Sequence, residues 1–224
     1  MLMSRNAGRS RALMALAASC GFFGASATAI ADKGDGSGGG EHGGKGQTVP
    51  FQATGTGGTE SANPSKSKPG PGGAPCQFRG QCAVDSTGTA DVTAGSYSFP
   101  ATFSSTLTID YSNVTSPSAG NYCAPASGTV TLTSTVNTRD QIFKTEAGNV
   151  CGATTLYAPH TFTGTYVITG GSGRFAGASG SGTVTVTDNG QGTITSSDEK
   201  GTISYRGAKG GDHGDGGDNG NNDE

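Results

Sequence analysis

The sequence predicts an all-β protein, an antiparallel barrel of about eight strands, with a β-sandwich as the alternative. Apolar residues recur at every second position, which is typical of strands with one buried face. Threonine occupies much of the opposite parity, as it does on the solvated face of a pleated sheet. The 224 residues include 41 glycines, and no window of a dozen residues combines a helical period with good helix formers, so helix is nearly excluded.

The first 31 residues have the pattern of a secretory signal peptide. Arg5, Arg9 and Arg11 precede an apolar run that closes with the Ala-Ile-Ala sequence ending at Ala31. We expect cleavage after Ala31 and a secreted or extracytoplasmic mature chain. Glycine and serine interrupt the run before the ~20 apolar residues that a membrane helix requires, so no membrane span is expected in the mature chain. Lipoprotein processing at Cys20, which follows small residues, is the minor alternative.

Removal of the signal peptide makes the chain more acidic. Residues 1–31 hold three arginines and no acidic residue, so 11 basic and 17 acidic residues remain. Nucleic acids and anionic membranes attract clustered lysine and arginine, and no basic stripe is present. We therefore expect no nucleic-acid partner.

Glycine-rich segments stand at both ends of the mature chain. Residues 32–46 and 207–224 contain no bulky apolar side chain, so burial cannot offset the entropy of ordering them. We expect both to be disordered. His42 and His213 lie in these segments, where a solvated linker is favoured over weak metal binding.

Residues 47–206 form the predicted barrel domain, with a long loop over 54–85 that is rich in glycine, serine and proline. The first strand is predicted from Val49, Phe51 and Ala53, and the clearest alternation follows Pro100. The remaining apolar residues that share a parity are Ala101, Phe103, Leu107, Ile109 and Tyr111, then Val130 and Leu132, then Phe162, Tyr166 and Ile168, then Val184 and Val186, and last Ile203 and Tyr205.

Four cysteines remain after cleavage, Cys76, Cys82, Cys123 and Cys151. An even count in an oxidising compartment predicts disulfides, of which three pairings are possible. Structural zinc sites favour close cysteine pairs, which are missing here, so no metal or other cofactor is expected. We expect Cys76 to pair with Cys82 within the loop, and Cys123 to pair with Cys151 across a predicted hairpin.

A glycine-dense connection between two alternating strands is the most distinctive segment. It does not fit a phosphate-binding loop, because Ala176 stands at the third glycine position of GxGxxG and a strand follows. Arg174 lies beside the bend. A local ion pair is favoured for it over anion binding with backbone amides.

The run GTYVITGGSGRFAGASGSGT, with CAPASG from Cys123, GNVC ending at Cys151 and PHTFTG from Pro159, resembles a family of bacterial secreted proteins. Their GGTGRFAGA-like segment is similar to one in plant dirigent proteins and the related allene oxide cyclase-like barrels. The resemblance covers about residues 120–190. It implies an eight-stranded barrel whose glycine-rich connection packs Phe175 against the barrel end, and it carries over no catalytic residue. The connection comprises Gly170, Gly171, Gly173, Arg174, Phe175 and Gly177.

No residue is assigned to catalysis. His160 is the only histidine in the predicted domain, no motif sets a nucleophile beside it, and a turn position after Pro159 is expected. Asp110 falls on the solvated parity of its strand and is expected to be a solvated carboxylate. Paired cysteines cannot act as nucleophiles.

Three functions remain open. The first is an exported non-enzymatic barrel, either a surface or matrix protein or a binder of a small apolar ligand. The second is a dirigent-like or cyclase-like enzyme that acts by confining a reactive small molecule. The third is structural assembly through sheet edges. A cavity of roughly 300 Å³ or more with a polar floor would favour binding or catalysis, and the oligomeric state is not indicated.

Overall fold

The computed structural model describes residues 46–70, 76, 80–118, 121–152 and 159–207. The predicted signal peptide, Cys20, His42 and His213 lie outside these residues. So does nearly all of the two glycine-rich ends, and their predicted disorder stays a prediction.

Strands make up most of the described chain. The helical residues described are two single 3-10 turns, at Tyr111–Asn113 and Gly173–Phe175. In this part of the chain there is no helix long and apolar enough to cross a membrane. The strands are β1 (Thr48–Gly55), β2 (Gly58–Ala62), β3 (Gln81–Ala94), β4 (Tyr97–Asp110), β5 (Thr115–Ser118), β6 (Asn121–Ser134), β7 (Gln141–Gly152), β8 (His160–Ser172), β9 (Ser179–Asp188) and β10 (Thr193–Ser204).

Antiparallel pairing closes the sheet into an eight-stranded barrel, which confirms the predicted fold and removes the sandwich alternative. Seven positions follow one another around the barrel as β3, β4, β6, β7, β8, β9 and β10. The eighth is shared by β1 and β2, which pair in succession with the same two neighbours, β3 and β10. The short strand β5 pairs with β6 outside this path.

The long loop predicted over 54–85 is wrong at both ends, because β1 extends into that range, β2 lies within it and β3 begins before it closes. Periodicity could not find β2, since its sequence GTESA has no apolar alternation. Backbone hydrogen bonds from β2 to both β3 and β10 hold it in place. The Glu60 amide, for example, donates to the Gly192 carbonyl at 2.8 Å.

Alternation along the strands separates a packed interior from a solvated exterior. On β4, Ala101 and Ile109 are buried, whereas Thr102 and Ser104 on the opposite parity are exposed. Apolar residues of the other barrel strands complete a single core. Burial of the apolar side chains on this inward face is the main force that holds the barrel together.

Aromatic side chains fill one end of the barrel, where β3 ends and β4 begins; we call this the aromatic end. Phe175 is fully buried there. Its ring centroid lies 5.0 Å from that of Tyr205, 5.5 Å from that of Phe99 and 6.3 Å from that of Tyr97. The glycine-rich connection between β8 and β9 therefore serves as a plug for this end.

Arg174 and Asp140 fix the position of the plug. The Arg174 guanidinium lies 3.9 Å from the centroid of the Tyr97 ring, and its Nε lies 3.9 Å from Asp140 Oδ2. The Arg174 amide donates to Asp140 Oδ1 at 2.8 Å. Gly173 has φ +57°, and a Cβ at this position would collide with Asp140 Oδ1. A side chain at residue 173 would thus be excluded both by the backbone and by the space available.

Both disulfides lie at the opposite end, which we call the disulfide end, and both have the predicted pairing. Cys123 and Cys151 are direct partners in the β6–β7 ladder. Cys76 joins the segment before β3 to Cys82, the second residue of that strand. The two bonds therefore brace neighbouring parts of one barrel rim.

Removal of the Cys123–Cys151 bond should cost more stability than removal of the Cys76–Cys82 bond. Their sequence separations are 28 and 6 residues, for which loop-closure entropy gives about 3.6 and about 2.2 kcal/mol. We compare Cys123→Ala/Cys151→Ala with Cys76→Ala/Cys82→Ala by thermal unfolding. Each kcal/mol should lower Tm by about 2–4 °C in a domain of this size. A larger loss from the short bond would contradict this ordering.

Candidate functional site

A cavity of about 70 Å³ lies inside the barrel and extends toward the disulfide end. Five titratable side chains line it, namely Glu60, Glu146, His160, Asp188 and Glu199. Four of them are carboxylic acids. The remaining wall is largely apolar and includes Val84, Phe103, Leu107, Val130, Phe162 and Val186. We call this space the acidic cavity.

Lys144, Glu146 and Glu199 form the inner cluster of the acidic cavity. Lys144 and Glu146 lie two residues apart on β7, so both point inward, and Glu199 points inward from β10. The Lys144 Nζ donates to Glu199 Oε2 at 2.5 Å and to Glu146 Oε1 at 3.4 Å. The Lys144 side chain has no exposed surface. One ammonium group therefore serves two buried carboxyl groups.

The inner cluster packs against Tyr166. The Lys144 Nζ lies 5.1 Å from the centroid of the Tyr166 ring, a cation–π distance. Glycines on the two following strands leave room for the phenol: a Cβ on Gly182 or Gly201 would lie 2.5 or 2.6 Å from the hydroxyl oxygen. Among the described residues, this buried hydroxyl has no hydrogen-bond partner.

Glu60, His160 and Asp188 form a second group, the mouth cluster, where β8 begins and β9 ends. His160 and Asp188 are directly paired residues of the β8–β9 ladder, and Glu60 comes from β2. The His160 Nε2 lies 3.5 Å from Glu60 Oε1, and its Nδ1 lies 3.6 Å from Asp188 Oδ1. The imidazole is thus held between two carboxyl groups, with only 10% of its side chain exposed.

Asp188 has one oxygen engaged and one unsatisfied. Its Oδ1 accepts from the Gly190 amide and faces His160. Its Oδ2 is buried and has no hydrogen-bond partner within the part of the chain that the structure describes. The residue is only 2% exposed and lines the acidic cavity. A buried carboxylate oxygen is costly without a donor, so Oδ2 is a candidate contact for a ligand or a water molecule.

Burial changes the acidity of several groups at the cavity. Burial raises the pKa of the Glu146 carboxyl, and the Glu199 charge acts in the same direction, against the opposing effect of Lys144. Burial also raises the pKa of the Tyr166 phenol, and the nearby charges of Glu199 and Glu146 raise it further. Tyr111 has its pKa raised to about 12, chiefly by burial and further by Glu60.

The residues singled out from the sequence are mostly far from this cavity. The glycine-rich connection from Gly170 to Gly177, with Arg174 and Phe175, belongs to the aromatic end, and Arg174 is in the expected local ion pair. Asp110 lies near the surface and accepts from the Ser112 amide at 3.0 Å. The expectation that His160 is a turn residue is wrong, because His160 begins β8 and shares the inward parity of its strand.

Parity is the signal that could have identified the other site residues. Each charged side chain stands on the same parity as the apolar residues of its own strand. Extending the alternation by one or two more alternate positions therefore places that side chain in the barrel interior. Glu60 is the exception, since β2 has no apolar pattern. The matching residues are Lys144 and Glu146 with Ile142, His160 with Phe162, Asp188 with Val186, and Glu199 with Ile203.

The arrangement is suited to binding cations and hydrogen-bond donors, and to exchanging protons through His160 or Glu146. Within the described ranges, no three His, Cys, Asp or Glu side chains are placed to hold a metal ion. Comparisons of the chain with protein-family models, with curated proteins and with solved structures found no match.

A second depression, of about 490 Å³, lies on the surface and is more open than the acidic cavity. Asp91 is its one ionisable lining residue, and the remaining lining is chiefly threonine, glycine and alanine. It offers no buried polar group, so the acidic cavity is the better candidate site.

Replacement of the two inner glutamates should affect stability differently. The folded state binds the Glu146 proton more tightly than the unfolded chain does. The free energy of unfolding therefore falls as pH rises from the ordinary glutamate pKa through the raised one. Glu146→Gln should flatten this decline and be at least as stable as the parent at pH 7.

Glu199→Gln is the matched variant, because it removes the closer partner of Lys144. It should lose about 3 kcal/mol at pH 7, the lower end of the range for a broken buried pair, since Glu146 remains in reach. Urea unfolding between pH 4 and pH 8 measures both effects. Equal losses from the two substitutions at pH 7 would contradict this assignment of roles.

Proposed function

We propose that the protein is an exported, non-enzymatic binding barrel that takes a small molecule into the acidic cavity. The observation that carries this proposal is a cavity in which apolar walls surround a few convergent polar groups, which is the usual composition of a small-molecule site. Asp188 lines this cavity, and its buried, unsatisfied Oδ2 is the candidate anchoring atom.

The size of the cavity limits the ligand. A volume of about 70 Å³ exceeds the roughly 10–15 Å³ that one water molecule needs. It falls short of the roughly 300 Å³ of our sequence-based criterion for binding or catalysis, which is the size of a drug-sized site. The proposed ligand is therefore a molecule, or the head group of a larger molecule, of about five non-hydrogen atoms.

Export is part of the proposal. It is supported by the signal-peptide pattern that ends at Ala31 and by the two disulfides, which are compatible with an oxidising compartment. Assembly through sheet edges is less well supported, because each of the eight barrel positions has neighbours on both sides. The short strand β5 pairs with β6 outside these eight positions.

An acid–base enzyme is the second candidate, and the mouth cluster favours it. An imidazole held between two carboxyl groups can be oriented and poised for proton transfer, and Glu146 lines the same cavity with a raised pKa. The resemblance to dirigent and allene oxide cyclase-like barrels also suits chemistry by confinement. Binding is preferred because the apolar wall and the unsatisfied Asp188 Oδ2 offer contacts to a ligand without requiring a chemical step.

Filling the cavity should abolish small-molecule binding without unfolding the barrel. Val130 lines the cavity and is 8% exposed, whereas Val136 is 73% exposed. Val130→Phe should therefore block the site, and Val136→Phe is the matched control. The test uses ¹⁵N-labelled mature protein from the exported fraction, which should begin at Asp32, and titrates it with 1-propanol, propylammonium and propionate.

At least one of the three molecules should shift the amide signals of cavity-lining residues in the parent and in Val136→Phe, but not in Val130→Phe. Absence of such shifts for all three molecules, or their persistence in a folded Val130→Phe, would overturn the binding proposal. Turnover is assessed separately, and a chemical change in a bound molecule that requires His160 would favour the enzyme instead.

A further inference from the structure

The charge of the acidic cavity points to the chemical class of its ligand, an inference that rests on the proposed binding function. We propose that the ligand carries a primary ammonium group on a short apolar chain, and that this group donates to Asp188 Oδ2. Three independent features support this assignment: the charge balance of the cavity, the unsatisfied oxygen, and the make-up of the wall.

The cavity contains more carboxyl groups than cations to balance them. Glu60, Glu146, Asp188 and Glu199 line it. Among the described residues, the ion pairs that reach these four groups come from Lys144 and from His160. Even with His160 protonated, four potential negative charges face two positive ones.

One proton and one small cation would restore neutrality. Burial raises the pKa of Glu146, so this carboxyl holds its proton to a higher pH than an ordinary glutamate does. A single negative charge then remains, and a buried charge without a partner is strongly unfavourable. One monovalent cation in the cavity would compensate it.

Asp188 shows where the cation would be held. Its Oδ1 is occupied by the Gly190 amide and faces His160, whereas Oδ2 lacks a donor among the described residues. An ammonium group brings three N–H donors, and hydrogen bonds between charged partners are the strong ones. Asp188 could use one of these donors, leaving the others for Glu60 or for water.

The cavity suits an organic cation better than a metal ion. Calcium requires six to eight oxygen ligands and magnesium a near-octahedral set, whereas no group of three His, Cys, Asp or Glu side chains in the described ranges is placed to hold a metal. The wall also presents Val84, Leu107 and Phe162, which offer contacts to a short alkyl chain and nothing to a bare ion.

Propylammonium, 1-propanol and propionate form a matched probe set, with similar chains and positive, neutral and negative ends. Titration of the mature full-length protein at pH 7, followed by NMR, gives an apparent Kd for each. Propylammonium should bind at least about tenfold more tightly than 1-propanol, because its contact with Asp188 is charge-assisted. Propionate should bind most weakly.

Asp188→Asn should remove the preference for propylammonium and retain the binding of 1-propanol, because asparagine keeps the oxygen that accepts from the Gly190 amide. Asp198→Asn is the matched control: it makes the same charge change on β10, at a side chain that is 46% exposed and pairs with Lys200. If Asp188→Asn does not fold, Glu60→Gln provides the second variant: it removes a negative charge from the same cavity, so a weaker preference for propylammonium is expected, and an unchanged preference would count against the inference.

Each outcome has a distinct consequence. Tighter propylammonium binding that depends on Asp188 supports the inference. If 1-propanol or propionate binds as tightly as propylammonium or more tightly, the inference is overturned and the proposed binding function still stands. Displacement of propylammonium by calcium at equal concentration has the same consequence. Failure of all three probes to reach the cavity overturns the binding function and this inference together.

Discussion

Closure of the sheet is the constraint on which the rest of the structure depends. Once eight strand positions pair around a barrel, every strand has one parity that is removed from water. Apolar residues on that parity form the core, and any charged residue on it must find a partner inside. The aromatic end is sealed by Phe175 and its ring neighbours, so the charged residues on the inward parity of the strands occupy the middle of the barrel and the disulfide end. The acidic cavity thus follows directly from where charges fall in the inward parity.

The buried charges are organised around one lysine. Lys144 is enclosed by Glu146, Glu199 and the Tyr166 ring, and the glycines at 182 and 201 leave the space that the phenol occupies. Such a cluster is weak support for stability, because the desolvation of its members offsets much of their attraction. Its clearest structural effect is on the cavity. It places carboxyl groups at the wall, where burial raises the pKa of Glu146.

Periodicity predicted the architecture well and the site poorly, for the same physical reason. The alternation of Ala101, Phe103, Leu107 and Ile109 indicates a buried face, because apolar residues mark the strand positions that are removed from water. His160 and Glu199 occupy such positions without being apolar, so the apolar pattern ends just before the charged residues that line the cavity. The apolar pattern does not predict β2, because only backbone pairing with β3 and β10 fixes the position of this strand. The disulfide pairing was predictable, since a hairpin brings Cys123 opposite Cys151.

The barrel interior holds a cluster of ionisable groups, and burial there raises the pKa of Glu146. A direct measurement is the titration of the Glu146 carboxyl carbon by ¹³C NMR in the mature protein, with the signal assigned by its loss in Glu146→Gln. The account predicts that this carboxyl titrates clearly above the ordinary glutamate value, because burial disfavours its charged form. A Glu146 that titrates at or below the ordinary value would contradict the buried, acidic cavity described here.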